Sequence, residues 1–245
     1  MLTVKDLKFS VGEVGILHGL SFDIAKGETV GVIGPNGSGK TTLFNCLSGF
    51  ALPTAGAISF AGRNITHEPA HSRALLGLGR VFQNFGIFKD MSLEENMLTA
   101  LEGRDSLLSS FWPWSKRIGE RSALAKEQLA EVGLDKKFKQ KASSLSGGQM
   151  RLLEIVRTLS FGAELFLLDE PTAGVSPKMK DDVANLILKL QSLGKTVLII
   201  EHDINFIQKF CKRIIVLDQG KVLIDDTPEK VRANKLLQEI YFGSH

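Results

Sequence analysis

The sequence predicts an α/β protein with a mainly parallel sheet, an N-terminal antiparallel β part and an inserted run of helices. Three observations carry that expectation. Thr29–Ile33, Leu165–Leu168 and Thr196–Ile200 are short continuous apolar runs, the pattern of strands buried on both faces. They alternate with segments of helical period, and such alternation folds as a parallel sheet covered on both sides. Finally, 24 of the 245 residues are glycine, above the usual ~7%, and several of them cluster just beyond apolar runs.

Taken in order, Leu2, Val4, Leu7, Phe9 and Val11 alternate, followed by Leu17, Leu20, Phe22 and Ile24, with Gly12, Gly15 and Gly19 between. This predicts strands joined by turns. The strand at 29–33 leads into GPNGSGKTT and a helix carrying Leu43, Phe44 and Leu47, which ends at Gly49. Residues 55–65 read as a strand pair. From about 90 to 160 the period becomes helical. Ser92 caps a helix beginning LEENMLTA, a second runs from roughly Ser115 to Val132 and stops at Gly133, and a third follows SSLSGGQ. In that third helix Leu152, Ile155, Val156 and Leu159 stand at i, i+3, i+4 and i+7. Strand–helix alternation then returns. Leu165–Leu168 is a strand, Ser176-Pro177 starts a helix as cap and first residue, and Val183, Leu186, Ile187 and Leu190 line its apolar face. Thr196–Ile200 and Arg213–Leu217 are strands, and Thr227-Pro228 opens a last helix.

Composition excludes several classes. Hydrophobic residues are 43% and charged residues 23%, too apolar for a disordered chain. Thirty Lys+Arg against 27 Asp+Glu leave +3, which argues against holding nucleic acid through bulk charge. Cys46 and Cys211 are too few for a disulfide framework. The N-terminus lacks the pattern of a secretory signal, and no stretch approaches the ~20 apolar residues of a membrane span. A soluble, cytoplasmic chain is expected, one able to sit on a membrane through a partner.

Gly34-Pro35-Asn36-Gly37-Ser38-Gly39-Lys40-Thr41 has the spacing of a phosphate-binding loop, and Thr42 continues it. Glycines 37 and 39 permit positive φ and close approach, so that successive amides can face an anion. The start of the following helix adds its positive end. Lys40 supplies a point charge for the outer phosphates, and Thr41 a hydroxyl for Mg²⁺. Nucleotide binding follows.

Leu165–Leu168 ends in Asp169 and Glu170, at the strand end where α/β sheets bind ligands. Asp169 suits Mg²⁺, held through water, and Glu170 suits activation of an attacking water. His202 follows the strand 196–200 on the same sheet edge and is expected to face the γ-phosphate. Gln83, in VFQN, ends a short candidate strand. Ser146 and Gln149 have capping-box spacing, but Gly147 and Gly148 between them weaken a first turn. They suit a site where another surface approaches the amides. Both tryptophans fall in Phe111-Trp112-Pro113-Trp114, a composition that covers a small helical insertion or meets a membrane boundary.

In the order GPNGSGKTT, VFQN, LSGGQ, LFLLDEP and IIEHD, these motifs resemble the nucleotide-binding subunits of ATP-binding cassette (ABC) transporters. The resemblance implies a phosphate-loop NTPase core in a single cassette, residues 1–245. A core lobe would span about 1–88 and 162–245, and a helical subdomain about 89–161. It also implies a head-to-tail pair with a second, identical or different ATPase subunit, ATP and Mg²⁺ lying between the phosphate loop of one and Ser146, Gly147, Gly148 and Gln149 of the other. Gln83 becomes a Mg²⁺- and water-sensing residue beside the part that docks on transmembrane permease subunits, which would hold the chain on the inner face of the cell membrane. Val11 falls where the family usually stacks an aromatic on adenine, and Ser176 where it often has Asp. Within the family, GLGRVFQNFGIFKDMSLEENML, EPTAGVSP, the loop around residues 103–122 and YFG look most like the ATPases of branched-chain amino acid importers. Lipopolysaccharide-export ATPases, a non-transport ATPase acting in assembly and a nucleotide-gated module without hydrolysis are the alternatives.

Overall fold

A computed structural model of the chain describes residues 1–82, 86–103 and 114–234. In chain order its elements are β1 (Leu2–Val11), β2 (Val14–Ile24), β3 (Thr29–Ile33), α1 (Lys40–Ser48), β4 (Ala55–Phe60), β5 (Arg63–Asn64), α2 (Ala70–Leu75) and β6 (Leu78–Val81). The helical stretch follows as α3 (Leu93–Gly103), α4 (Trp114–Ala130) and α5 (Gly147–Ser160). The chain then returns to β7 (Leu165–Asp169), α6 (Pro177–Ser192), β8 (Thr196–Ile200), α7 (Ile204–Ile207), β9 (Arg213–Asp218), β10 (Lys221–Asp226) and α8 (Pro228–Ala233).

The expected α/β architecture is present. Strands β2, β1, β4 and β5 form an antiparallel sheet in that order. The second sheet runs β10-β9-β3-β8-β7-β6, all parallel except β10, which returns antiparallel along β9. In β3, β7 and β8 every residue is buried, as expected of central parallel strands. Their side chains alternate between two cores. Ile33, Phe166, Leu168, Val197, Ile199, Ile214 and Val216 face α5 and α6. Val30, Val32, Leu165, Leu167, Leu198, Ile200, Ile215 and Leu217 face α1 and the antiparallel sheet. Because β3, β7, β8 and β6 are parallel, the segments after Ile33, Asp169, Ile200 and Val81 all leave at one edge.

Local chemistry fixes the boundaries. Ser92 and Glu95 exchange cap bonds ahead of α3, Ser92 N donating to Glu95 Oε2 at 2.7 Å and Glu95 N to Ser92 Oγ at 3.2 Å. Ser176 Oγ accepts from Met179 N, and Pro177 is the first residue of α6. Thr227 precedes Pro228 but makes no side-chain cap bond. In the helical stretch α3 packs on α4 and α5, joining Leu93, Met97, Ala125, Leu129, Leu152 and Val156 to the core that covers one sheet face. No helix among the described residues is long and apolar enough to cross a membrane.

Candidate active site

The loop between β3 and α1 has the backbone that its glycines predict. Gly37 and Gly39 take φ of 81° and 100°, a region L side chains enter only with strain. Gly39 is also the cap of α1, with no side-chain cap bond, so the first amides of the helix are left for another acceptor. The loop packs closely: a Cβ on Gly34 would lie 2.2 Å from the Leu217 carbonyl oxygen, and one on Gly39 would lie 2.7 Å from Leu17. Lys40 reaches back under the loop, its Nζ donating to the carbonyls of Gly34 (2.7 Å) and Pro35 (2.9 Å). Burial lowers the Lys40 pKa, opposed by the nearby carboxylates Glu170 and Asp169.

Those carboxylates stand at the end of β7. Glu170 has a left-handed backbone, φ 47°, a conformation that costs a non-glycine residue about 1–3 kcal/mol and concentrates at functional sites. Its amide donates to Ile200 O at 3.0 Å, and its Oε1 lies 3.0 Å from His202 Nε2. Next to His202, the buried carboxylate of Glu201 accepts from Thr172 N (2.9 Å) and Thr172 Oγ1 (2.7 Å). It thereby fastens the turn after Glu170 to the end of β8.

Asp169 is almost fully buried and forms an ion pair with Arg80 of β6, whose Nη2 lies 2.9 Å from Oδ2. Burial raises the Asp169 pKa, and the Arg80 hydrogen bond and charge oppose the shift. Asp169 Oδ1 has no partner among the described residues. The Asp169 carboxylate and the Thr41 hydroxyl at the start of α1 are hard oxygen donors of the kind Mg²⁺ takes, a few from protein and the rest from phosphate and water. No group of three His, Cys, Asp or Glu able to cage a metal occurs among the described residues.

The other nη nitrogen of Arg80 donates to Asn45 Oδ1 (2.7 Å) and Ser48 Oγ (3.0 Å) on α1. The guanidinium also lies against the rings of Phe82 (4.8 Å), Phe44 and Phe50 (both 5.9 Å). Arg80, Phe50, Phe82, Phe88 and Phe161 line an apolar groove of about 410 Å³. Phe50 and Phe88 are 61% and 47% exposed there.

The capping box predicted at 146–149 is present. Gln149 N donates to Ser146 Oγ at 3.3 Å, and Ser146 N to Gln149 Oε1 at 3.2 Å. Lys137 Nζ also reaches Gln149 Oε1, at 3.0 Å. The surface that approaches Gly148 is part of the same chain, since a Cβ there would lie 2.7–2.8 Å from the Met179 side chain of α6.

Of the residues predicted for the site, the fold brings Lys40, Asp169, Glu170 and His202 to one sheet edge, with Thr41 and Thr42 opening α1. The end of the β1–β2 hairpin, where Val11 pairs with Val14, leaves Val11 61% exposed. Further along β2, the Ile16 carbonyl adjoins Gly39. Gln83 and Trp112 lie outside the described residues. Sequence reasoning missed Arg80, Glu201 and a second buried pair on α5. There Arg151 Nη1 and Glu154 Oε2 are 2.9 Å apart, and Glu154 Oε1 accepts from Phe82 N (3.0 Å) and Gly86 N (2.9 Å). The one available signal was that Arg151 and Glu154 stand three residues apart within an apolar run, beside Leu152, Leu153, Ile155 and Val156.

A phosphate loop, a buried carboxylate and a Glu–His contact on one edge of a parallel sheet define a phosphate-loop ATPase. Comparison with known proteins specifies which kind. The family model for the ABC transporter matches residues 17–173, and the chain belongs to that family. It is 39% identical over 249 residues to the high-affinity branched-chain amino acid transport ATP-binding protein BraF of Pseudomonas aeruginosa, covering 99% of this chain and 98% of that one. The fold superposes on a nucleotide-free ATP-binding cassette with a TM-score of 0.86 and 31% identity, covering 100% and 99% of the two chains. A dimeric cassette in a post-hydrolysis state bound to ADP and Pi superposes with a TM-score of 0.80 and 28% identity, over 93% and 99%.

Proposed function

We propose that this chain is the ATP-hydrolysing subunit of an importer of branched-chain amino acids, and that ATP binding, closure of an ATPase pair and hydrolysis drive its cycle. The Glu170–His202 contact carries the reading, because it joins a candidate base and a partner at the sheet edge next to Lys40 of the phosphate loop. The likeness to BraF along the whole chain supports the substrate class.

In this reading the loop of Gly34, Pro35, Asn36, Gly37, Ser38 and Gly39, with Thr42, wraps the phosphates, every residue but Pro35 offering a backbone amide, and Lys40 Nζ leaves the carbonyls of Gly34 and Pro35 for the outer phosphates. Thr41, Gln83 and Asp169 would hold Mg²⁺, Asp169 through water, and the ion would there supply positive charge against that developing on the transferred phosphoryl group. Glu170 takes the proton of the attacking water, and His202 holds Glu170 and the γ-phosphate in register. Val11 lies against the base, where an aliphatic side chain gives less stacking than an aromatic one. Ser146, Gly147, Gly148 and Gln149 contact ATP held by the partner ATPase. Residues of about 1–88 and 162–245 act as the core lobe, and about 89–161 as the helical subdomain. The apolar groove with Phe50 and Phe88 receives a transmembrane permease subunit, which keeps the chain at the inner face of the membrane.

The test is transport. The chain, assembled with its permease subunits in proteoliposomes, is expected to take up labelled leucine, isoleucine or valine at the expense of ATP, and Glu170→Gln is expected to stop uptake. ATP-driven movement of none of the three would overturn the substrate assignment.

A further inference from the structure

The groove and the metal-side carboxylate meet at one side chain. We propose that Arg80 is a positioning residue that ties the orientation of the Asp169 carboxylate to what fills the groove. The inference rests on the reading of Asp169 as the Mg²⁺-holding carboxylate.

A guanidinium is a rigid plane, so its donors cannot be re-aimed one at a time. In Arg80 one nη nitrogen is committed to Asp169 Oδ2, and the other is shared by Asn45 Oδ1 and Ser48 Oγ on α1. Any tilt of the plane therefore moves the carboxylate relative to the helix that begins at Lys40. Nε is buried without a hydrogen-bond partner. The tilt is thus set by the rings against the plane rather than by a bond at Nε. Phe44 is fully buried and fixed in the core. Phe50 is different: it meets Phe82 edge to face with centroids 5.3 Å apart, lies 5.9 Å from the guanidinium, and is 61% exposed in the groove. A helix pressed into the groove bears on Phe50 and Phe82, and through them on Arg80. With Oδ2 held by Arg80, Oδ1 would be the oxygen left for a cation and its water. Outer partners that orient a metal-side carboxylate in this way typically matter 10–100-fold for metal affinity.

Metal and nucleotide linkage gives a readout that needs no turnover. At one fixed free Mg²⁺ concentration, the ratio of ADP affinities measured with Mg²⁺ and with EDTA reports the metal affinity of the ADP-loaded site, and Mg²⁺ binding to free ADP cancels when a variant is compared with wild type. In Arg80→Met the ratio is expected to fall about tenfold, with ADP affinity in EDTA unchanged because the phosphate loop is untouched. Phe50→Ala, an exposed change that leaves the fold intact, is expected to lower the ratio in the same direction. A wild-type ratio in either variant, or equal weakening with and without Mg²⁺ in Arg80→Met, overturns the proposal. Asp169→Asn separates the two layers: a wild-type ratio there removes the metal role on which the link rests.

Discussion

His202 Nε2 stands 3.0 Å from Glu170 Oε1, across the ends of the neighbouring parallel strands β8 and β7. Glu170 reaches that contact from a left-handed backbone, so its carboxylate is held by strand pairing, by a strained turn and by an imidazole. In the role proposed for it, Glu170 acts on a water without first being ordered. Glu170→Gln keeps the shape and removes the proton acceptor. Turnover is expected to fall about 10²–10⁴-fold while ATP binding persists. Phosphate release measures the first effect. Sedimentation of the variant with and without ATP measures a second, since a chain able to pair with itself should go from monomer to dimer when hydrolysis cannot reopen it.

Met179 and Gly148 give a prediction on packing. The first turn of α6 fills the place of the missing Gly148 side chain, with the Met179 Cβ itself within 2.8 Å of a Cβ added there. Gly148→Ala therefore overpacks a contact between LSGGQ and the segment that follows Glu170, at an expected cost of about 1–3 kcal/mol. Met179→Ala removes the Cγ and Cε contacts but keeps the Cβ one, so the double variant should recover part of that loss. Urea unfolding of the four proteins measures the coupling, and additive losses would show that the two residues do not meet.

The strands of the parallel sheet and the capped helices were legible because they are local: an apolar run, a serine before a proline, a glycine after a periodic segment. What escaped was long-range or short. Arg80 and Asp169 are 89 residues apart, and nothing near Arg80 in the sequence distinguishes it from a surface arginine. Glu201 and Thr172 are 29 apart, and in IIEHD the histidine drew the reading while the glutamate beside it holds the turn. Strand β10 was missed because as an edge strand it is never fully buried, so Val222 and Ile224 are only partly covered. Helices α2 and α7 are too short, at 6 and 4 residues, to show a period. At LSGGQ the two readings of the pattern are compatible: the capping box forms, and Gly148 admits a close neighbour, here from the same chain.

Arg73 of α2 is fully buried, with no carboxylate in hydrogen-bond reach among the described residues. Its guanidinium donates instead to the carbonyls of Cys46 (2.6 Å), Leu47 (2.8 Å), Thr66 (3.0 Å) and Glu68 (2.8 Å). The first two are the last turn of α1, so Arg73 caps the helix that begins with the phosphate loop. Arg73→Met is expected to cost on the order of 3–5 kcal/mol, because buried acceptors lose their donors together. Arg73→Lys keeps the charge but not the planar fork and should recover little. Urea unfolding checks both, and a loss under 1 kcal/mol in Arg73→Met would show the carbonyls re-satisfied by other groups.

The Glu201 carboxyl is pushed above its ordinary pKa, chiefly by burial, while the bonds from Thr172 pull it back. In the unfolded chain it titrates near the usual value of about 4.3. Between that pH and the raised folded value, the folded state binds more protons than the unfolded one, so stability falls as pH rises and then levels off. Asp169 and Glu154 are raised by burial too, and the total slope in wild type mixes all three. Glu201→Gln separates them, because the amide oxygen still accepts from Thr172 but does not titrate. The stability of wild type minus that of Glu201→Gln should therefore be largest below pH 4.3, decline as pH rises through the raised value, and stay flat beyond it. Urea unfolding of both proteins from pH 4 to pH 8 measures that difference. A difference independent of pH would mean that Glu201 ionises in the fold as it does in water.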